Sequence, residues 1–344
     1  MQRILILDLN YQLNRSIHVP ALESLTDQYG RKTGGVFGLL NTIQVCLNRC
    51  ECSKVIGVWD GGRSKRRLTI YPQQPNATPP TGYKVKRGIL PGMTQEEIDE
   101  KKQTAERITT GKELANPLLM AAGCHVIEWP EREADDVIAV LARKLAGSHC
   151  DQVVIGSDDW DYAQCCDERI CVYRPMADQW LSLYNFMPVM GVPIDWACLK
   201  KAAEGDEGDS IPGVPDVGPD TVSKAVRSYV VSRTPDFVSE HYDQHHYRNT
   251  CPADMTTFFE FCKQAKGKRI QKIAAGREII VRNLDLIDLR REVFPTDHVD
   301  YLMQQVLQSR RFDEMAVVRG LGELNIQSLL AHFAHWSEPF RRVS

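Results

Sequence analysis

Apolar runs and polar breaks alternate along the first half of the chain in a way that predicts strands and helices in turn. Ile4-Leu5-Ile6-Leu7 is an unbroken apolar run closed by Asp8, and Val55-Ile56-Gly57-Val58-Trp59 is closed by Asp60. Cys124-His125-Val126-Ile127 and Val153-Val154-Ile155-Gly156-Ser157 read the same way, the second followed by Asp159 and Asp161. Runs of this kind are typical of strands buried on both faces of a parallel sheet. Residues 170–173 and 181–184 add two shorter strand candidates. Between the strands, residues 36–46 carry apolar positions at helical spacing after Gly34-Gly35. A further helix opens at Glu133, where Val137, Ile138, Val140, Leu141 and Leu145 recur on one face. Residues 94–118 also read as helix, but charge dominates them and little apolar face is left, so a mobile lid is expected there. Beyond Asn185 the pattern is mainly helical. The expected fold class is α/β: a mostly parallel central sheet flanked by helices over residues 1–190, then a helical region over 191–344.

The polar breaks are unusual in kind. Glu133, Asp135 and Asp136 open one helix, where a single capping residue and the positive end of the helix dipole would account for one or two acids. Asp8, Asp60 and the pair Asp159 and Asp161 follow three strands, and ligands of open parallel sheets collect beyond the carboxyl ends of the strands. Two carboxylates about 4 Å apart repel by roughly 4 kcal/mol at an effective dielectric near 20. A converging set of six or seven therefore calls for hard divalent cations with oxygen ligands, Mg²⁺ or Mn²⁺.

Composition changes this picture little. The 344 residues are 43% hydrophobic and 25% charged with a formal net charge of −3, enough for a large α/β domain with a helical extension. The 11 cysteines contain no paired CxxC spacing, which argues against zinc and points to buried free thiols in a reducing, cytoplasmic setting. Neither a signal peptide nor an apolar run of membrane-spanning length is read. Local charge is more informative. From Gly61 to Gly88 there are seven basic residues (Arg63, Lys65, Arg66, Arg67, Lys84, Lys86, Arg87) and no acid, beginning beside Asp60. A charge run is commonly a solvated face, but this position raises the case for phosphate binding. Residues 73–82 interrupt it as a Pro/Asn/Thr-rich loop insertion. Residues 205–221 hold four glycines and three prolines between helical segments, with Asp206 and Asp209 at i, i+3, a nest suited to a backbone phosphate or to an ordinary solvent loop. His241, His245 and His246 near Cys251 read as solvent-facing rather than as a zinc site. Residues 263–291 read as a packed helical module with a charged rim rather than as a separate DNA site.

Together these stretches resemble the 5′-nuclease family: flap endonucleases, phage 5′–3′ exonucleases and the 5′-nuclease domain of bacterial DNA polymerase I. Asp8-Leu9-Asn10-Tyr11 with Arg15 resembles the opening motif. Asp60-Gly61, Arg67, Tyr71-Pro72 and Tyr83-Lys84-Val85-Lys86-Arg87 resemble the basic run. Glu133-Ala134-Asp135-Asp136, residues 157–164 and residues 205–221 match the next three motifs in order. The resemblance covers residues 8 to about 225 and implies a PIN-like 5′-nuclease fold with a helical arch near 84–118 and a DNA-binding helical hairpin near 195–230. It implies a two-metal phosphodiesterase holding two or three Mg²⁺ or Mn²⁺ ions. Asp8, Asp60, Glu133, Asp135 and Asp136 would hold chiefly one ion, and Asp159, Asp161, Asp206 and Asp209 the other. Lys84 and Arg87 would grip the scissile phosphate. Arg15, Arg67, Lys86, Gly213 and Gly218 would contact DNA, with K⁺ a further candidate at the hairpin. Tyr83 would either stack on a terminal base or serve as a buried structural residue. The implied setting is a monomer in a bacterial or phage-infected cell, cutting DNA with a 5′ flap or 5′ end, with RNA/DNA hybrids and replication proteins as further partners and no membrane.

Three features depart from the family pattern: the insertion before Tyr83, Asp216 where a glycine is usual, and Asp220 where a lysine is usual. Asp220 reads either as repulsive to DNA or as a helix N-cap. The competing class is a catalytically silent DNA-structure-binding protein of the same fold, against which the intact acids, Lys84 and Arg87 argue. A nucleotide-binding oxidoreductase lacks its GxGxxG after the first strand.

Overall fold

The apolar runs become the strands of one sheet in the computed structural model, which describes residues 2–233 and 255–343. In chain order the elements are β1 (Arg3–Asp8), α1 (Leu9–Ile17), α2 (Gly34–Cys50), β2 (Lys54–Trp59), α3 (Lys65–Ile70), α4 (Gln95–Ala121), β3 (His125–Glu128), α5 (Ala134–Leu145), β4 (Gln152–Gly156), β5 (Ile170–Arg174) and β6 (Gln179–Leu181). Then come α6 (Phe186–Met190), α7 (Ala197–Glu204), β7 (Gly205–Asp206), β8 (Ile211–Pro212), α8 (Pro219–Arg233), α9 (Thr256–Gln264), α10 (Lys268–Ala275) and α11 (Arg277–Ile287). The chain continues through α12 (Thr296–Leu307), α13 (Glu314–Glu323), α14 (Gln327–Ala331) and α15 (Phe333–Arg342). The six-stranded sheet has the order β3-β2-β1-β4-β5-β6, and the pairs β1–β2, β1–β4, β2–β3 and β4–β5 are all parallel. Central β1 is enclosed on both faces, as an unbroken apolar strand requires.

Two compact units share the chain. The first takes Met1–Arg63, Met93–Trp180 and Val293–Ser344, and the second takes Ser64–Gly92 and Leu181–Glu292. In the first unit, Leu5 and Leu7 of the sheet pack with Leu13 of α1, Leu39 and Ile43 of α2 and Leu118 of α4. Val317 and Leu321 of α13 and Trp336 and Phe340 of α15 complete this core. The 27-residue α4 starts with a capping box between Thr94 and Glu97 and buries few residues, the signature of its thin apolar face. In the second unit the core is aromatic, with Trp196 and Phe258 ring centroids 4.9 Å apart and Tyr229 5.4 Å from Phe258. The 263–291 stretch packs there through Ile273, Ile280, Leu284 and Ile287, with its lysines outward and Asp288 buried.

Three expectations change. The last strand is Gln179–Leu181, not 181–184, because the Asn185 carboxamide accepts from Ser182 N at 2.8 Å and turns the chain, leaving Tyr184 83% exposed. The hairpin after α7 contains a two-residue antiparallel pair, Gly205 with Pro212 and Asp206 with Ile211. Glycine is required there: a Cβ on Gly213 would lie 2.1 Å from Glu204 O, and Gly205 has φ +81°. Asp220 lies within the first turn of α8 rather than capping it. The insertion closes on itself, with Gln74 N donating to Thr81 O at 2.7 Å and Tyr83 N to Tyr71 O at 2.9 Å, so the basic run on its two sides is rejoined. The cysteines among the described residues are free and buried. The histidines 241, 245 and 246 and Cys251 lie outside the described residues. No helix among the described residues is long and apolar enough to cross a membrane.

Candidate active site

The parallel register brings the strand-end acids of the first unit to one place. Asp8 closes β1 and also caps α1: its Oδ1 accepts from Tyr11 N at 2.8 Å and its Oδ2 from the Tyr162 hydroxyl at 3.0 Å. Burial first, and then the negative charges of Asp60 and Asp159, push its carboxyl up to about 8 against those two hydrogen bonds. Asp60 follows β2 and accepts from Ala134 N at 2.7 Å, fixing the strand end to the first residue of α5. The Asp60 N–H donates to Asn10 Oδ1 at 3.1 Å. Glu133 precedes α5, and one carboxylate oxygen from each of Glu133, Asp135 and Asp136 lies within 4.8 Å of the others. Glu133 and Asp136 are buried. Beyond β4, Asp159 caps the turn Trp160–Cys165 and accepts from Asp161 N at 2.9 Å. Between these two acids, half-exposed Trp160 carries the Arg174 guanidinium 3.8 Å over its ring.

The second unit holds the remaining predicted residues around Asp209. Its Oδ1 pairs with Arg87 Nη2 at 2.5 Å. Its Oδ2 accepts from the Tyr83 hydroxyl at 3.2 Å and faces Lys84 Nζ at 3.7 Å. Lys84 N donates to Asp209 O at 2.7 Å while Lys84 takes the left-handed φ of +54°. Asp209 N in turn donates to Asp206 Oδ1 at 3.1 Å. Burial opposes ionisation of Asp206, but the Lys201 ammonium at 2.8 Å and the N–H groups of Asp209 and Gly208 outweigh it and hold the carboxyl below its ordinary range.

Seven of the nine predicted ligands thus belong to the first unit, and Asp206 and Asp209 to the second. Tyr83 and Arg67 are each 1% exposed. Tyr83 is the buried structural residue of its two readings, and Arg67 donates to Leu286 O at 2.8 Å, so neither side chain offers a surface to nucleic acid. Arg15 is half-buried and donates to Thr42 Oγ1 at 3.1 Å. Lys86 is exposed beside Glu207. Gly213 serves the hairpin backbone, whereas nothing crowds Gly218. Asp216 holds φ +61°, the conformation a glycine would favour, and its charge is met by an ion pair with Lys272. Sequence reasoning passed over Tyr162, Lys201 and Arg174. Tyr162 was visible inside the motif, but its bond to Asp8 spans 154 positions and left no local signal.

The all-oxygen donor set, its burial and the raised Asp8 carboxyl fit a hard divalent cation better than an unfilled acidic pocket. Comparison with known proteins points the same way. Residues 3–189 match the family described as 5′-3′ exonuclease, N-terminal resolvase-like domain. The chain is 28% identical over 229 residues to a 5′-3′ exonuclease of Aquifex aeolicus, covering 67% of this chain and 70% of that one. It is 23% identical to the flap endonuclease Xni of Shewanella oneidensis, covering 69% and 72%. A 24% match to DNA polymerase I of Mycobacterium tuberculosis spans 92% of this chain but only 32% of the polymerase. Among solved structures, T5 5′-exonuclease with bound zinc superposes with a TM-score of 0.60 at 20% identity, covering 94% of this chain and 99% of that one. A T5 flap endonuclease complexed with DNA and metal ions gives 0.57 at 20% identity, covering 94% and 100%. At these identities the structural likeness speaks for the fold.

Proposed function

The chain belongs to the 5′-3′ exonuclease family, and on that premise we propose that it is a structure-specific 5′ nuclease that hydrolyses DNA phosphodiesters at 5′ flaps and 5′ ends in a divalent-metal-dependent reaction. The observation that carries this reading is the meeting of Asp8, Asp60 and the Glu133 helix start beyond the parallel strands. Asp8, Asp60, Glu133, Asp135 and Asp136 would hold one cation, and Asp159 and Asp161 would contribute to a second; Asp206 and Asp209 of the second unit are further candidate metal ligands. Mg²⁺ or Mn²⁺ held there would supply water activation and charge stabilisation for the leaving oxygen. The protein's share is preorganisation. The bond from Ala134 N to Asp60 fixes one ligand to the helix that carries Asp135 and Asp136 and follows Glu133, and Tyr162 aims Asp8. Lys84 and Arg87 hold the scissile phosphate, charge-assisted donors that share Asp209 when no phosphate is present. The reading extends to RNA/DNA hybrids as substrates, K⁺ at the 213–218 turn and a monomeric enzyme.

The test is one incubation series of 5′-flap, nicked, blunt and single-stranded DNA, and a flap on an RNA/DNA hybrid, with Mg²⁺, Mn²⁺, Ca²⁺ or chelator. Cleavage near the junction in Mg²⁺ or Mn²⁺, abolished by chelator, is expected. Binding of flap DNA without cleavage in any metal would overturn the enzyme and leave a silent binding protein.

A further inference from the structure

From Phe261 to Arg277 the chain carries six basic residues, Lys263, Lys266, Lys268, Arg269, Lys272 and Arg277, and no acid. All six are exposed. In α10, Ile273 is fully buried and Ile270 and Ala274 pack against the second unit's core, which turns Lys268, Arg269 and Lys272 to solvent. Among the described residues, Lys263, Lys266, Lys268 and Arg269 enter no ion pair.

The placement of these charges works against the helix that bears them. The N-terminus of α10 has no side-chain cap and no acid in its first turn, and Lys268 and Arg269 occupy that turn. Cations there repel both one another and the positive end of the helix dipole. A helix selected for its own stability would carry acids in that turn, whereas a polyanion laid across it removes the conflict. The strip is also continuous with the hairpin. Lys272 pairs with Asp216, and the corner between α10 and α11 packs so closely on Val214 that a Cβ on Gly276 would fall 2.5 Å from its Cγ2.

We infer that the exposed face of α10, with Lys263, Lys266 and Arg277 at its ends, is a duplex DNA backbone-binding strip that prolongs the contact made by the hairpin. This rests on the nuclease reading and adds to it residues that the hairpin motif does not contain. Asp216 then acts as an internal counter-charge that occupies Lys272 until phosphate replaces it.

The test is a salt titration of binding to a fluorescent 5′-flap DNA in Ca²⁺, using the full chain and thermal melting as a control for folding. Each lost phosphate contact flattens the log affinity–log salt slope by about 0.9, so Lys268→Ala with Arg269→Ala is expected to flatten it by about 1.8. Across about 50 to 200 mM salt this makes the loss of affinity about 12-fold smaller. Asp216→Gly is expected to move the slope the other way by about 0.9, by releasing Lys272. An unchanged slope in a double variant that melts normally would overturn the strip. An unchanged slope in Asp216→Gly would overturn its continuity with the hairpin. If the double variant instead loses binding to phosphatidylglycerol vesicles with its DNA slope intact, the strip serves a membrane surface and the inference is wrong. These failures differ from failure of the nuclease reading itself, in which the unaltered chain would not cut flap DNA in Mg²⁺.

Discussion

Asp136 is fully buried among like charges, and this gives it opposite effects on stability and activity. Asp136→Asn keeps its shape and removes one charge. Without metal, the variant is expected to melt at a higher temperature, the relief being on the order of 1–4 kcal/mol. Cleavage of flap DNA should fall at least ~100-fold and binding should survive. A variant that cuts normally would remove the cluster from the chemistry. Lys84 and Lys65 give a second contrast. Lys84 is buried against Asp209 and Tyr83, whereas Lys65 is exposed. Lys84→Ala should depress turnover more than affinity, while Lys65→Ala should alter affinity and its salt dependence alone. Equal losses of turnover in single-turnover kinetics would show that Lys84 is an ordinary member of the basic face. At this scale the convergence of Asp8, Asp60 and the Glu133 helix start was legible, because a strand end or a helix start fixes where a residue lies in a parallel sheet. Lys201, which pairs with Asp206, was not, because a lysine on a short helix looks the same whether it faces solvent or a carboxylate.

Strands and helices were legible wherever one periodicity ran unopposed. β1, β2 and β4 fall within a residue or so of their apolar runs. The end of β6 was misread because Ser182 and Asn185 spend their side chains on a local turn, and that bond outweighs the β propensity of Leu183 and Tyr184. The attachment of α12 left no local trace either. Its C-terminal carbonyls are met from neighbouring strands: Lys54 Nζ donates to Val306 O at 2.7 Å, and His125 Nδ1 donates to Gln305 O at 3.1 Å. Cations and donors at a helix C-terminus stabilise it. Lys54→Met should therefore cost about 1–3 kcal/mol in a denaturant titration. Burial, then Lys54 and Arg310, push the His125 imidazole down to about 4 from its ordinary 6.5, although the Gln305 carbonyl opposes this. Below 6.5 the unfolded chain takes up a proton that the folded chain refuses, so stability falls as pH drops through that window and is fully kept above it. His125→Gln should flatten that slope between pH 4 and 6.5, and an unaltered slope would assign it to other groups.

At the scale of the molecule, the two units are each assembled from separated stretches of chain, a path that no left-to-right reading of composition can trace. The first unit's acids come from β1, β2, α5 and the turn after β4. Added Mn²⁺ should therefore slow amide hydrogen exchange at all four places together, by an amount that follows the ratio of ion concentration to Kd. Protection confined to α5 would mean that Glu133, Asp135 and Asp136 bind an ion by themselves.

The same scattered assembly bears on how the protein comes into being. Val317, Leu321, Trp336 and Phe340 are fully or almost fully buried beside Leu5, Leu7 and Leu13. The core that backs the first acid's strand is therefore closed only once residues 317–340 have joined residues 5–13. A nascent stretch that stops short of them has its carboxylates but not the packed sheet that aims them, so the site is expected to be armed late in folding.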